Sequence, residues 1–276
     1  MIEIRDLWVR YDGNSEYVLR GVNLGLEEGL VLIVGKTGCG KTTLARCIAG
    51  LIPHFFPAEV RGEINILGVN PLVDGVRGLA GKLAYLSQNP EMFVVSPSVE
   101  EEIIFPLSNL GVEPEEIIWR LNDIVKKLGI ENLLDKSTLM LSSGQLQLVS
   151  IASALITGAK ILVLDEPLAR LDPINASIVS KVLRDIANDG HLVLVFEHHL
   201  DDIFQYADKI VVMEDGRITF MGSPRDAVDK ILDIDVPEII EVFYNLYRHG
   251  CVDRIPISLE EAEEVIINAK GRRHMV

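Results

Sequence analysis

Three runs in the chain are apolar at every position: LVLIV at 30–34, ILVL at 161–164 and LVLVF at 192–196. A strand with one wet face alternates apolar and polar residues. Runs without alternation predict central strands of a parallel sheet, covered on both faces. Further strands are predicted at 2–9, 22–26, 62–67, 83–87 and 209–214, and the two later runs extend over 161–165 and 192–196. Helical periodicity predicts helices near 41–50, 99–109, 114–128, 144–157, 174–189, 200–206, 224–232 and 237–248. Strands alternating with helices imply an α/β fold with right-handed crossovers.

The pattern changes between about 89 and 150, where Pro90, Pro97, Pro106 and Pro114 punctuate helical stretches and no strand is evident. This segment reads as a helical insertion into the sheet domain. After Gly222-Ser223-Pro224 the chain is again mainly helical, and Ser258 with Glu261 forms a capping-box pattern ahead of a final helix. The expected organisation is therefore a sheet domain over 1–221 and a small helical extension over 222–276.

Chemistry enters with Gly35-Lys36-Thr37-Gly38-Cys39-Gly40-Lys41-Thr42-Thr43, between the strand at 30–34 and a predicted helix. Glycines there let backbone N–H groups turn inward around an anion, and the new helix adds its positive end. In such a phosphate-binding loop Lys41 reaches the β- and γ-phosphates of a nucleotide, and Thr42 coordinates Mg²⁺. Cys39 lies inside the loop, so a thiol reagent is expected to inhibit and ATP to protect. ILVLDEP at 161–167 ends a buried strand on two carboxylates. Asp165 would hold Mg²⁺ through water, and Glu166 would orient the attacking water. LSSGQ at 141–145 opens a helix, as an ordinary serine cap or as a second anion site. Gln88 and His198 each follow a predicted strand. Gly35, Gln88, Asp165, Glu166 and His198 thus fall along one sheet edge, where open α/β sheets bind ligands.

Charge narrows the partners. Lys plus Arg number 26 against 41 Asp plus Glu, a formal net charge of −15, which disfavours nucleic acid. The short GRRH at 271–274 reads as a solvated tail. The odd, unevenly spaced Cys39, Cys47 and Cys251 read as reduced thiols of a cytosolic protein. The start of the chain looks like a strand and not a signal peptide, and no apolar run reaches bilayer-spanning length. A mean hydropathy of +0.26 suggests a partner surface.

The ordered set GKTGCGKTT, Gln88, LSSGQ, ILVLDEP, Leu171-Asp172 and His198 resembles the ATP-binding-cassette ATPases, the nucleotide-binding subunits of ABC transporters, over residues 1 to about 220. The resemblance implies a P-loop NTPase (RecA-like) core with an antiparallel β lobe, the helical insertion and a helical C-terminal extension. It implies ATP and Mg²⁺ as cofactors, with Gln88 contacting Mg²⁺ and His198 the γ-phosphate. Leu171-Asp172 falls in the family's D-loop. Tyr11 sits where the family stacks an aromatic on adenine, or else simply packs at a strand end. Ser142, Ser143, Gly144 and Gln145 belong to the family signature, which completes the site of a second ATPase chain, so hydrolysis is expected to need a homo- or heterodimer.

The stretches 51–68, 88–105 and 196–202 are most similar to the energy-coupling-factor (ECF) ATPases of vitamin and metal-ion uptake. That likeness implies a transmembrane coupling subunit and a substrate-binding membrane subunit as partners, at the cytoplasmic face of the membrane. Met92, Phe93 and Phe105 would supply apolar contact to the coupling subunit. Glu100, Glu101 and Glu102 would meet its basic residues, or serve only as a helix start capped by Ser98. Two departures stand out: Ser143 replaces the usual signature glycine, and Leu146 and Leu148 stand where basic residues are common. They are compatible with two unequal composite sites in a heterodimer. A non-transport cassette ATPase, in DNA repair, chromosome organisation or translation, is the alternative. The single cassette, the short insertion and the acidic charge all point away from it.

Overall fold

The computed structural model describes residues 1–89 and 94–273. Its centre is a six-stranded sheet in the order β5-β6-β7-β3-β8-β9, formed by Leu83–Leu86, Ile161–Asp165, Leu192–Glu197, Gly29–Val34, Lys209–Glu214 and Arg217–Gly222. The first five strands are parallel, and β9 closes the edge antiparallel to β8. The three apolar runs are the central strands β3, β6 and β7. Their side chains divide between two cores. Leu30, Leu32, Val34, Leu162, Leu164, Val193 and Val195 face one; Val31, Ile33, Ile161, Val163, Leu194 and Phe196 face the other. Both faces are dry, which is why alternation is missing from the sequence.

A second, antiparallel sheet of β1 (Ile2–Tyr11), β2 (Leu19–Leu26) and β4 (Ala58–Ile66), ordered β2-β1-β4, shares the second core with helix α1 (Lys41–Ile48). Helices α3 (Val99–Asn109), α4 (Pro114–Leu128) and α5 (Ser143–Leu155) lie between β5 and β6 in the chain. They pack with α6 (Pro173–Asn188) on the first core. The remaining helices are α2 (Pro71–Leu79), α7 (Pro224–Ile231), α8 (Glu238–Arg248) and α9 (Leu259–Arg273). Ser98 caps α3 by accepting the Glu101 N–H at 3.3 Å, and Ser258 does the same for Glu261 at 3.3 Å; the reciprocal half of the expected box at Ser258 is displaced, since the Glu261 carboxylate accepts the Ile257 N–H at 3.1 Å. Among the described residues no helix is long and apolar enough to cross a membrane.

Three elements differ from expectation. Strand β9 is half exposed, so it carries no apolar run. Its signal was the turn: Asp215 and Gly216 take φ of 44° and 78°, the paired positive values of a two-residue hairpin turn. Helix α2 is kinked at Gly75 and holds two glycines, which weaken its periodic signal. The helix predicted at 200–206 is one 3₁₀ turn, Phe204–Tyr206. Leu200, Ile203 and Phe204 are buried there at helical spacing, but the chain turns at once into β8.

The C-terminal extension shares the main core. Ala227, Val228 and Ile231 of α7 and Ile240 of α8 lie in the same cluster as Leu200, Ile203 and Phe204, and only a satellite of Phe243, Ala262 and Val265 is separate. Ile240→Ala is therefore expected to lower the unfolding free energy by about 2–5 kcal/mol, read from urea titration.

Candidate nucleotide site

Parallel pairing sets strand ends level. Val34 pairs with Glu197, Phe196 with Asp165, and Leu86 with Leu164, so the residues following these strands emerge side by side. The loop 35–40 leaves β3 and starts α1 at Lys41. Glycine is obligatory at Gly35, where a Cβ would lie 2.3 Å from the Met213 carbonyl oxygen. Gly40 precedes the helix at φ 108°, a left-handed conformation that a side chain resists. Lys36, Thr37 and Gly38 are exposed, whereas Cys39, Gly40, Lys41 and Thr43 are buried. The Lys41 ammonium bends back over the loop and donates to the carbonyls of Gly35 at 2.5 Å and Lys36 at 3.4 Å. A cleft of about 230 Å³ lies against it, lined by Val18, Thr37, Gly38, Gly40 to Thr43 and Glu166.

Asp165 faces this helix start. It accepts the Thr42 hydroxyl at 3.2 Å on one oxygen and the Tyr85 hydroxyl at 3.4 Å on the other. Burial pushes its carboxyl above the usual range, and the neighbouring Glu166 charge adds to this; the Thr42 bond and the Arg46 charge oppose them. A buried carboxylate beside a hydroxyl is a hard oxygen donor set that fits Mg²⁺. Among the described residues no group of three or more His, Cys, Asp and Glu forms a cage. Such a pair therefore suits a cation that phosphate oxygens hold as well.

Glu166 sits at φ 52°, a conformation unusual for a side-chain-bearing residue, and its N–H is held by the Phe196 carbonyl at 2.8 Å. The turn aims its carboxylate between Gln88 and His198, two of the predicted site residues. Gln88 donates to one oxygen at 2.5 Å, and His198 Nδ1 lies 3.4 Å from the other, buried and without hydrogen-bond geometry. The structure thus brings Lys41, Thr42, Asp165, Glu166, Gln88 and His198 together. Tyr11 is half buried and its hydroxyl shares a 3.1 Å hydrogen bond with Thr43 Oγ1, beside a cleft of about 410 Å³ that also includes Arg10 and Glu59.

The signature is not part of this cleft. Ser142 and Gln145 are occupied in a capping box: Ser142 Oγ accepts the Gln145 N–H at 3.3 Å, and Gln145 Oε1 accepts the Ser142 N–H at 3.2 Å. Ser142 and Ser143 are exposed. Gly144 is buried against α6, where a Cβ would lie 2.4 Å from Asn175 Oδ1. Leu146 is buried and Leu148 half buried against the core, which accounts locally for apolar residues at those positions.

Sequence reasoning missed Tyr85, Arg46 and Glu197. Glu197 is the striker plate of the edge: it is fully buried, and its carboxylate accepts the N–H of Leu168 at 2.9 Å and of His198 at 3.2 Å. A single carboxylate ending the apolar run LVLVFE was the available signal. Burial pushes its pKa up to about 7, against the two backbone donors. Folding therefore favours the protonated form. That contribution is complete below the unfolded value near 4.5 and is lost as pH rises through about 7. Relative to the parent chain, Glu197→Gln should gain on the order of 3 kcal/mol of unfolding free energy between about pH 5 and about pH 8. A pH-independent difference would show that Glu197 ionises normally.

Cys39 corrects an expectation. Its thiol turns into the second core, 7% exposed, and burial raises its pKa; Cys47 is wholly buried with a pKa pushed up to about 12. Reactive cysteines need thiolate and access, and neither residue has both. A thiol reagent at neutral pH should label only exposed Cys251 in the folded chain, with Cys39 and Cys47 reacting after denaturation, as peptide mass spectrometry would read.

Comparison with known proteins agrees with this geometry. A family profile described as ABC transporter matches residues 19–169, more than half of the chain. An ABC transporter ATP-binding protein of Pyrococcus horikoshii is 32% identical over 96% of this chain and 96% of its own length. Another, from Methanosarcina acetivorans, is 36% identical over 96% of this chain, which spans only 42% of that relative. The solved structure of CbiO1 from Clostridium perfringens, part of the ABC transporter complex CbiONQ, superposes with a TM-score of 0.74 at 28% identity, covering 83% of this chain and 93% of that one. A P-loop beside a paired Asp-Glu strand end, on this sheet and in this company, identifies the chain as an ATPase of the ABC transporter ATP-binding family.

Proposed function

We propose that the chain is the motor subunit of an ECF-type importer, working in a pair with a second cassette and coupling ATP hydrolysis to uptake of a vitamin or metal ion. The carrying observation is the convergence of Gln88 and His198 on the Glu166 carboxylate, at the mouth of the cleft that holds Lys41 and Thr42. In this reading backbone N–H groups of 36–43 and the Lys41 ammonium hold the phosphates. Thr42, Asp165 and Gln88 hold Mg²⁺, which supplies charge neutralisation on the phosphoryl group. Glu166 orients the attacking water. His198 reports the γ-phosphate, and Tyr11 takes the adenine.

Pairing is supported by the signature's place. Ser142 and Ser143 are exposed at a helix start that does not line the chain's own phosphate cleft. Their anion-binding capacity is then available to ATP held by a second chain.

A membrane partner is supported by an apolar cleft of about 480 Å³ between β5 and the insertion, lined by Leu83, Leu86, Phe105, Pro106, Leu110 and Ala154 among others. Its floor strand leads directly to Gln88, so an occupant of the cleft would bear on the nucleotide site. The partner surface differs from the sequence expectation at one residue. Glu102 is buried, and its carboxylate accepts the N–H groups of Val95 and Ser96 at 3.0 and 2.9 Å, so only Glu100 and Glu101 remain for a partner's basic groups. Met92 and Phe93 lie outside the described residues. The likeness to CbiO1, itself part of an ABC transporter complex, supports a place for this chain beside a membrane partner, at the cytoplasmic face in this reading.

Glu166→Gln keeps the shape and the Gln88 contact region but cannot act on water as a carboxylate. It is expected to bind ATP, to pair at high ATP, and to lose about 10²–10³-fold in turnover, by phosphate release and size-exclusion measurements. Turnover near the parent rate would remove Glu166 from the mechanism.

A further inference from the structure

His198 opens a segment that leaves β7 and regains strand structure only at Lys209. Two carboxylates fasten this segment to the C-terminal extension. Asp235, between α7 and α8, accepts the Leu200 N–H at 3.1 Å and lies 3.8 Å from His199 Nδ1. Asp201 returns the tie by accepting the Glu238 N–H at 2.7 Å, at the first turn of α8. The His199 ring lies 4.2 Å from the His198 ring, centroid to centroid. Beneath them Leu200, Ile203 and Phe204 share a core with Ile231 and Ile240.

These contacts have an energetic logic. Leu200 is fully buried, so its N–H must find an acceptor. The local segment does not supply one; a carboxylate 35 residues further on does. The same carboxylate faces the imidazole that packs on His198. Removing it frees the backbone two residues past His198 and unseats the neighbouring ring together.

We infer that Asp235 is a positioning residue for ATP hydrolysis: through Leu200 and His199 it fixes the pose of His198, which makes the C-terminal extension part of the catalytic apparatus. The inference rests on the reading of His198 as the γ-phosphate contact. It goes beyond that reading by assigning the extension a task within its own subunit.

Full-length variants test it by steady-state hydrolysis of Mg-ATP. Asp235→Ala is expected to lower kcat about tenfold, about 1.4 kcal/mol in the barrier, while KM moves less than about twofold. Amide exchange at Leu200 should rise in the same variant. Asp235→Asn keeps a carbonyl oxygen for the Leu200 N–H and should recover kcat to within about threefold. Arg225→Ala removes an exposed ion pair to Glu261 inside the same extension and should leave kcat unchanged. Full kcat in Asp235→Ala overturns the inference, as does an equal loss in Arg225→Ala, which would mark a general loosening. If Asp235→Ala does not fold, exposed His199 carries the test: His199→Ala should lose about threefold in kcat at constant KM, and an unchanged kcat overturns the inference. His198→Ala separates the two readings. Full activity there removes His198 from the mechanism, whereas an inactive His198→Ala beside a fully active Asp235→Ala removes only the role of Asp235.

Discussion

The site depends on the register between β3, β7 and β6. Parallel pairing of Val34 with Glu197 and of Phe196 with Asp165 leaves no freedom in where the phosphate loop, the Asp-Glu pair and the segment starting at His198 emerge. A slip of one residue in any of these strands would exchange the two cores and turn Asp165 away from Thr42. That register is held by apolar side chains with no exposure at all: Leu32, Ile33, Leu162, Val163, Leu194 and Val195. The hydrophobic demand of two faces thus sets the position of polar chemistry at one end.

That end concentrates charge in a place where water is scarce. Asp165, Glu166 and Glu197 crowd the tips of two neighbouring strands, and both Asp165 and Glu197 are held above their ordinary pKa chiefly by burial. A bound cation and the Lys41 ammonium are the natural counter-charges, and Lys41 in turn leans on loop carbonyls. Glu197 is satisfied differently, by two backbone N–H groups belonging to the two segments that carry Glu166 and His198. One buried carboxyl therefore ties the turn after Glu166 to the segment that His198 opens. Asp235 ties the far side of that segment to the C-terminal extension. His198 is bracketed from both directions.

The signature and the apolar cleft are distinct from the phosphate cleft. The signature is self-capped, and its exposed serines do not line the phosphate cleft. The apolar cleft is bounded by β5, whose next residues reach Gln88.

The sequence by itself determined the buried strands, the phosphate loop, the Asp-Glu strand end and the helices between β5 and β6. These are local: periodicity, glycine spacing and caps are written in adjacent residues. It also placed Gln88 and His198 on the right edge, because parallel strands deliver their following residues to one side. It left β9 and α2 unread, since half-exposed or glycine-weakened elements have little periodic signal. It read Glu102 and Cys39 as accessible, and it gave no account of Glu197 or Asp235. Whether a carboxylate faces solvent, a partner or a distant backbone N–H depends on residues between 6 and 35 positions away along the chain. Only tertiary packing decides that, because burial sets the cost of each charge, and burial is a property of the assembled core.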